Sequence, residues 1–378
     1  MAGYDSRPMA QPPTSEAEKV AALRDLLPAT GAGIYLDTAT AGPLPAETAA
    51  AVREAEEWEL RVGRAAAGRE EDVEQRASEV QAVVAALIGA EPADVVPAAG
   101  VGQALALGLH GLDWRAGDRL LASPSNDPLL LEAARRACRP LGVEVVVDAL
   151  DGALPDATRV VLLPAVAPAS GRLMPILEIA ARLRANGVRL AVDASFAAGA
   201  MPFSVSELGA ELAVLACDRW ALGPEATAAL WRSGGRSKAS VASMGLARTA
   251  MIGLARSIGW LEMYVGLEWA FERTGRLARG LADELEASEG VELLTRTEAM
   301  AGIVTFRLPA SWSAAEAADE LGRRVFAIVR PLPTLNAIRA SVAWFNTEEE
   351  LGRFAEAVAE LARHTPETLP RRPSLTIL

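Results

Sequence analysis

The sequence predicts an α/β fold with a mostly parallel sheet, followed by a smaller C-terminal α+β unit. Predicted strands alternate with predicted helices from about residue 95 to residue 231, an order that is typical of parallel sheets joined by crossover helices. Some strands are continuous apolar runs, such as Val160-Val161-Leu162-Leu163, which are typical of strands buried on both faces. The 378 residues exceed what one compact core usually holds, which indicates a large and a small domain.

The elements of the larger unit follow from its apolar spacing and its turn residues. Helical spacing predicts helices at 15–27, 46–67, 71–88, onward from 103, at 128–140 and at 175–186. Short apolar runs predict strands at 34–37, 95–96, 119–122, 143–148, 159–163, 188–193, 212–216 and 227–231. The turn Gly42-Pro43 separates the first strand from the long helix that follows it.

The C-terminal unit begins after one long helical stretch that runs from Thr249 to Ala287. Strands are predicted near 291–295, 302–307, 325–330 and 338–344, and helices at 313–323 and 347–363. Thr347 is the expected N-cap of the last helix, because three glutamates follow it in the first turn. These patterns predict an N-terminal arm at 1–30, a large domain at 31–260, a small domain at 261–364 and a tail at 365–378.

Composition limits the partners and the kinds of site. The net charge is −12, so nucleic acid and anionic membrane surfaces are poor partners. Two histidines and two cysteines leave little material for a metal centre, and we expect none. The sequence has no run of 18 apolar residues and no signal-peptide pattern, so we expect a cytoplasmic protein that acts on a small molecule.

Four strings of residues, in order and spacing, resemble the class V aminotransferases. They are Tyr35-Leu36-Asp37-Thr38-Ala39 with Gly42-Pro43-Leu44-Pro45, Val192-Asp193-Ala194-Ser195 running to Leu208-Gly209-Ala210, Asp218-Arg219-Trp220-Ala221-Leu222-Gly223-Pro224-Glu225, and Ile338-Arg339-Ala340-Ser341-Val342 with Phe345-Asn346-Thr347-Glu348-Glu349-Glu350. The family includes cysteine desulfurases, isopenicillin N epimerase-like enzymes and ergothioneine C–S lyases. The resemblance covers about residues 31–363. It implies the fold of fold-type I pyridoxal phosphate (PLP) enzymes, with a seven-stranded type of sheet, and a homodimer.

The resemblance places two chemical groups at the centre of the site. Asp193 matches the aspartate that pairs with the pyridine nitrogen of PLP, although an aspartate that caps the next turn is the alternative. Arg219 matches the lysine that forms the Schiff base, and a guanidinium keeps its proton and offers no free amine. Arg219 is therefore either drift to arginine or a clamp for an anion. The only lysines in the sequence are Lys19 and Lys238.

The expected phosphate contacts differ from the family pattern. Ala216 stands where the resemblance implies a serine, and Asp218 stands where it implies a histidine. Asp218 would bring a negative charge towards a phosphate. The loop with Gly100 and Gly102 matches the small-residue phosphate loop, with Gly102 in place of its threonine. We expect these two glycines, with Asp193, to be vestigial cofactor-binding residues, and we expect no resident cofactor.

The substrate side of the pocket is the better preserved part. Arg339 matches the arginine that binds the substrate carboxylate, with a structural salt bridge as the alternative. The segment 124–128 lacks the expected stacking ring, and Asn126 in it is a candidate substrate-binding residue. Phe196 replaces a glutamine and is expected to pack. No cysteine follows Cys217, so the nucleophile of cysteine desulfurases has no counterpart.

Three functional hypotheses remain open on these residues. The first is a repurposed, PLP-independent enzyme of secondary metabolism that acts on a small anionic or amino-acid-like metabolite. Its catalytic candidates are Arg219, Asp218 and Asp193, and its substrate-binding candidates are Arg339, Arg219 and Asn126. The second is a non-catalytic partner of an active relative. The third is a residual PLP-dependent transferase or lyase, with PLP held non-covalently or on Lys238.

Overall fold

The computed structural model describes residues 15–234, 245–296 and 301–370. Its strands are β1 (Ile34–Tyr35), β2 (Val95–Ala99), β3 (Arg119–Ala122), β4 (Glu144–Val147), β5 (Thr158–Pro164), β6 (Arg189–Asp193), β7 (Leu212–Ala216), β8 (Thr227–Arg232), β9 (Glu292–Leu293), β10 (Ile303–Arg307), β11 (Ala327–Ile328), β12 (Arg330–Leu332) and β13 (Ala337–Ser341). Its α-helices are α1 (Glu16–Asp25), α2 (Ala46–Val62), α3 (Arg69–Ile88), α4 (Val101–His110), α5 (Pro128–Cys138), α6 (Ile176–Ala185), α7 (Arg248–Trp260), α8 (Leu267–Glu286), α9 (Ala314–Val325) and α10 (Glu348–Ala362).

A seven-stranded sheet forms the centre of the larger unit, in the order β2-β8-β7-β6-β5-β3-β4. The neighbours from β7 to β4 pair in parallel, whereas β8 is antiparallel to both β2 and β7. The prediction of a mostly parallel α/β sheet is therefore confirmed. Because β5, β6 and β7 run in the same direction, their carboxyl ends meet at one edge of the sheet.

Alternate residues of β5 contribute to two different cores. Val161 and Leu163 pack in the larger core with helices α3, α6 and α7, and Val160 and Leu162 pack in the core with α4 and α5. All four side chains are buried. The continuous apolar run is explained by this arrangement, because a strand covered by helices on both faces has no face for polar residues.

The C-terminal part has its own antiparallel sheet, in the order β12-β13-β10-β9. Leu277, Phe306, Leu321 and Phe354 belong to the separate core that α8, α9 and α10 form against it. The short strand β1 pairs in parallel with β11 in a separate two-stranded sheet, and this pairing joins residues 34–35 to the C-terminal part of the chain. The division at residues 30, 260 and 364 stays a prediction.

Two helix predictions were wrong in their extent. The helix expected at 46–67 ends at Val62, because Gly63 follows with a φ of 80° that favours glycine. The stretch expected to be continuous from 249 to 287 is divided at Gly266, whose φ is 81°. A π-helical turn, Leu261–Val265, precedes this glycine and separates α7 from α8.

One strand prediction was wrong in the same way. The strand expected at 325–330 is two short strands, β11 and β12, which pair with different partners, β1 and β13. Phe326 has a left-handed φ of 55° and closes α9, so the strand begins one residue later.

Across the described ranges, no helix combines the length and apolar character needed to span a membrane.

Candidate active site at the sheet edge

Asp193 lies at the carboxyl end of β6 and is almost completely buried. Its Oδ1 accepts a hydrogen bond of 2.9 Å from the backbone N–H of Ser195. Burial raises the pKa of the Asp193 carboxyl, and the charge of Arg219 partly offsets this effect. The turn-capping contact, which was the alternative interpretation, is thus present. The same buried carboxyl group also interacts electrostatically with Arg219.

Arg219 follows β7 and reaches back over the same edge of the sheet. Its guanidinium carbon lies 4.3 Å from the centroid of the Phe196 ring, a cation–π contact. Its Nη2 lies 3.7 Å from Oδ2 of Asp127, which is too long for a hydrogen bond. Its Nη1 is buried, and it has no hydrogen-bond partner within the described ranges.

Arg339, on β13, contacts the same ring from the C-terminal sheet, with its guanidinium carbon 5.7 Å from the Phe196 centroid. Its Nη2 donates to Thr40 Oγ1 at 2.6 Å and to Asp37 Oδ1 at 3.3 Å, and its Nη1 donates to the carbonyl of Pro168 at 3.2 Å. The structural salt bridge is therefore present. The Nε group is buried, and no described residue accepts a hydrogen bond from it.

Sequence reasoning missed the residues that hold Arg339 in place. Thr40 donates to Asp37 at 2.8 Å and also accepts from Nε of Arg330 at 3.1 Å, and Arg330 pairs with Asp37 Oδ2 at 3.1 Å. Asp37 belongs to a string that was noticed only as a family resemblance. The role of Arg330 follows from the pairing of β12 with β13, which sets Arg330 opposite Arg339. No local sequence pattern carries that information.

Asn126 follows β3 and is buried beside the end of β5. Its Nδ2 donates to the carbonyls of Ser123 and Leu162, both at 2.9 Å. These two bonds fix the orientation of the amide, so its Oδ1 points away from them. That Oδ1 is buried, and among the described residues it has no donor. The next residue, Asp127, caps α5 and faces Arg219.

Asp218 has a structural contact that the sequence did not indicate. Its Oδ2 accepts a hydrogen bond of 2.9 Å from the N–H of Ala226, which has a left-handed φ of 60°. Burial raises the pKa of the Asp218 carboxyl. In the described part of the chain it forms no hydrogen bond or ion pair with Asp193, Arg219 or Arg339. Its catalytic role stays a prediction, whereas its contact with the loop before β8 is observed.

Gly100 and Gly102 lie at the start of α4. Gly100 is the N-cap residue with a φ of 89°, a conformation that favours glycine. A Cβ at Gly102 would lie 3.4 Å from the Cβ of Ala133, so a small side chain would fit there with little adjustment. The neighbouring Gln103 accepts a hydrogen bond of 2.6 Å from the N–H of Ala99. Phosphate binding by this loop stays a prediction.

Of the two lysines, only Lys19 belongs to the described residues. Lys19 is on α1, with its Nζ 3.9 Å from the centroid of the Trp269 ring, and Lys238 lies outside the described residues. The aldehyde of PLP needs a primary amine for covalent attachment, and the described residues put the guanidinium of Arg219 beside Asp193 instead. They retain a buried carboxyl at the end of β6, and the described ranges place no lysine beside it.

A cleft of about 620 Å³ lies between α2, the start of α3 and the start of α7, and its lining does not include these residues. Its buried carboxylate, Glu59, pairs with Arg69 at 2.7 Å and with Arg64 at 3.1 Å. Arg248 pairs with Asp72 next to it. Arg248 Nη1 in this cleft is also buried without a hydrogen-bond partner in the described ranges, but it lies 3.9 Å from Oε1 of Glu59. Because the charged groups of this cleft are paired with each other, we take the residues around Phe196 as the better candidate for a functional site.

Comparisons with known proteins agree with the resemblance. The model of the family "Aminotransferase class-V" matches residues 34–238. A probable cysteine desulfurase of Methanothermobacter thermautotrophicus is 23% identical over 380 residues, covering 87% of this chain and 94% of that protein. Isopenicillin N epimerase of Streptomyces clavuligerus is 24% identical over 332 residues, covering 74% of this chain and 82% of that protein.

Solved structures share the fold. The complex of the cystine C–S lyase C-DES with its reaction product, cysteine persulfide, has a TM-score of 0.81 at 18% identity and covers 88% of this chain and 99% of its own. The apo cysteine desulfurase from Thermococcus onnurineus NA1 has a TM-score of 0.74 at 20% identity and covers 91% and 98%. The fold of fold-type I PLP enzymes is thereby confirmed. With a family match over more than half of its length, the chain belongs to the class V aminotransferases.

Proposed function

We propose that this protein is a PLP-independent enzyme that acts on a small anionic metabolite at the Phe196 site. Asp193 and Arg219 are the candidates for catalysis, with Arg219, Arg339 and Asn126 for substrate binding. The observation that carries the proposal is the position of Arg219, which lies on the Phe196 ring close enough to change the pKa of Asp193. A permanent cation at this point favours an anion and cannot attack an aldehyde.

The electrostatics around Asp193 support a role in proton transfer. Burial raises the pKa of its carboxyl, and a raised pKa is the direction in which a carboxyl is tuned for general acid–base work. Arg219 acts in the opposite direction by stabilising the carboxylate form. Opposed influences of this kind are typical of catalytic groups, although structural ion pairs produce them as well.

The thiols support a reaction other than cysteine desulfuration. Both cysteines of the sequence, Cys138 and Cys217, are buried. Burial raises the pKa of the Cys138 thiol to about 11 and raises that of Cys217 further. The thiolate is the nucleophilic form, so neither group is suited to attack a substrate at neutral pH. The proposal therefore differs from the activity for which the desulfurase relatives are named.

A second candidate is residual PLP-dependent transferase or lyase chemistry. Asp193 favours it, because a buried carboxyl at the end of β6 could still pair with a pyridine nitrogen. The relatives favour it as well, since one structure of C-DES holds glycine covalently linked to its PLP cofactor. In this candidate, PLP binds without a covalent bond or on Lys238.

The third candidate is a non-catalytic partner of an active relative, which would need a surface for that partner. Large aromatic side chains are common at such surfaces, but Trp260 is buried against Trp344 with ring centroids 6.0 Å apart. Trp58 lies beneath the guanidinium of Arg248 at 4.8 Å. Trp269 contacts Lys19 and Trp344. All three tryptophans thus serve contacts within the chain.

Absorbance spectroscopy tests the proposal. The protein is purified from cells grown with pyridoxine, and its visible spectrum and intact mass are recorded before and after PLP and borohydride. We expect no Schiff-base band and no added mass. A stable adduct on Lys238 would support the PLP-dependent candidate and contradict the proposal. Borohydride treatment without PLP is the control for unspecific reduction.

A further inference from the structure

The cleft of about 620 Å³ between α2, the start of α3 and the start of α7 contains a buried donor that its ion pairs leave unbonded. Arg248 lines this cleft, and its side chain is only 9% exposed. Its Nε donates to Asp72, whereas its Nη1 has no hydrogen-bond partner in the described ranges. Glu59 Oε1 lies 3.9 Å from this Nη1, which is too far for a hydrogen bond, and accepts from Arg69 Nη1 at 2.7 Å. Because buried donors in native proteins nearly always have an acceptor, Nη1 indicates a ligand.

The start of α7 adds backbone donors to the same cleft. Ala247, the N-cap residue of α7, and Thr249 in its first turn both line the cleft. The methyl group of Ala247 cannot cap the helix, and the first turn contains no acidic residue. The unpaired N–H groups of a helix start and the positive end of its dipole favour an anion. Arg248, the first residue of α7, adds to this positive potential instead of offsetting it.

Two further arginines supply donors from the segment that joins α2 to α3. Arg64 donates to Glu59 through Nε at 3.1 Å, and Arg69 donates to it through Nη1. In the part of the chain that the structure describes, their other guanidinium N–H groups form no hydrogen bond. Donors thus come from α7, from Arg248 and from the α2–α3 segment. A tetrahedral phosphate presents oxygens in several directions, whereas the two oxygens of a carboxylate lie in one plane, so this arrangement favours phosphate.

The lining also contains carboxylates, which act against an anion. Three arginines stand against two glutamates, Glu56 and Glu59, so the lining keeps a positive excess. Asp72, next to the lining, is shared between Arg248 and Arg76. Glu56 is exposed on α2, and no described arginine pairs with it. Its charge should therefore weaken the binding of an anion, which gives the experiment below a variant with the opposite sign.

We propose that this cleft binds the phosphate group of a small metabolite. Arg248 Nη1, the start of α7 and the remaining N–H groups of Arg64 and Arg69 hold the phosphate. A volume of about 620 Å³ is in the range of small-molecule sites, so the cleft also has room for the rest of the metabolite beside Leu60. The lining does not include Arg219 or any other residue of the Phe196 site, so this inference does not depend on the proposed function.

Isothermal titration calorimetry on the full chain tests the inference with inorganic phosphate and acetate at one ionic strength. We expect phosphate to bind to the wild type at least about tenfold more tightly than acetate, because it carries more charge and more acceptor oxygens. Absence of phosphate binding to the folded wild type, or equal affinity for the two ions, would overturn the inference. This comparison needs no variant, so it does not depend on the folding of a mutant.

Two exposed positions in the lining show whether the ion binds in this cleft. Arg64 is 83% exposed, so Arg64→Gln should keep the fold, and we expect phosphate binding to weaken by about fivefold, the effect of one contact charge in water. Glu56→Gln removes a negative charge and should strengthen binding by up to about fivefold. Arg323→Gln is the matched control, because Arg323 is 71% exposed on α9, and its affinity for phosphate should equal that of the wild type.

Two results with these variants would contradict the inference. Weaker phosphate binding in Arg219→Gln together with unchanged binding in Arg64→Gln would place the ion at the Phe196 site. A second copy of the chain is the other occupant that these donors would accept. If Arg64→Gln shifts the protein towards the monomer in analytical ultracentrifugation while phosphate does not bind to the wild type, the cleft is an interface and not an anion site.

Discussion

At the scale of single residues, Phe196 lies at the centre of the site, because the guanidinium carbons of Arg219 and Arg339 are 4.3 and 5.7 Å from its ring centroid. Arg219, Arg339 and Asp193 were candidates because they lie in strings that resemble a family. That Arg219 and Arg339 share the Phe196 ring depends on contacts between residues far apart in the chain. Phe196 itself was expected only to pack. Its ring is buried, and it also contacts the guanidinium groups of Arg219 and Arg339. Residue types were thus predictable, whereas their geometry was not.

Asn346 shows how much a single buried amide can contribute to stability. It is completely buried, accepts from the N–H of Ala343 at 2.9 Å and donates to the carbonyl of Tyr35 at 3.1 Å. Asn346→Ala leaves two backbone groups without partners, so we expect the free energy of unfolding to fall by about 2–3 kcal/mol. Asn186→Ala, at an exposed position, should change it by less than about 0.5 kcal/mol. Urea denaturation measures both, and equal effects would contradict the account.

The buried thiol of Cys138 gives stability a dependence on alkaline pH. Its pKa is raised by burial from 9.0 to about 11, so the unfolded chain releases the proton first as the pH rises. The contribution of this thiol to the free energy of unfolding should be constant below pH 9. It should then fall by about 1.4 kcal/mol per pH unit up to pH 11. Cys138→Ala should remove this part of the slope in denaturation curves between pH 8 and 11. An unchanged slope would show that the thiol is not buried.

At the scale of elements, the sequence predicted the position of nearly every helix and strand. The errors occurred where a glycine or a left-handed residue interrupts an otherwise periodic pattern, at Gly63, Gly266 and Phe326. Apolar periodicity reports which face is buried, and it does not report the local backbone conformation that ends an element. The pairing of β1 with β11 was not predictable either, because two-residue strands have no periodicity.

Helix α1 is held to the C-terminal part by a buried ion pair. Arg24 donates to both carboxylate oxygens of Glu350 at 3.0 and 2.6 Å, and also to the carbonyls of Thr30 and Phe345. Arg24→Met leaves the buried carboxylate of Glu350 without its cation and with only the N–H of Thr347 as a donor, so we expect the free energy of unfolding to fall by about 3 kcal/mol. Hydrogen exchange should then show reduced protection in α1.

The matched control is Arg276→Met, which removes an ion pair between α8 and Glu16 of the same helix. The side chain of Arg276 is 53% exposed, so its contribution is screened by water and should be below about 1 kcal/mol. Unchanged exchange in α1 of the Arg24→Met protein would mean that apolar contacts alone fix this helix.

At the scale of the whole molecule, the fold was predictable and the assembly is a proposal. We propose a homodimer, as the resemblance implied, and exposed apolar residues support it. Leu60 is 86% exposed at the end of α2, and Met263 is 73% exposed after α7. Helices α2 and α7 pack against each other, and Thr48 Oγ1 of α2 lies 2.7 Å from Ser257 Oγ of α7. Burying such side chains against a second copy would stabilise a dimer.

Analytical ultracentrifugation measures the assembly directly. We expect twice the chain mass of 39.7 kDa for the wild type, and a shift towards the monomer for the double variant Leu60→Glu, Met263→Glu. Leu177→Glu is the control, because Leu177 is 64% exposed on α6, away from this helix pair. Equal dimer fractions in both variants would place the interface elsewhere.

We propose that Arg219 stands where an amine would be needed to anchor PLP. Borohydride reduction with PLP, followed by peptide mass mapping, tests it most directly when the wild type is compared with Arg219→Lys. A lysine at this position is beside Asp193 and supplies the missing amine, so the account predicts an adduct on residue 219 of the variant and none on the wild type. An adduct on Lys238 of the wild-type protein would contradict it.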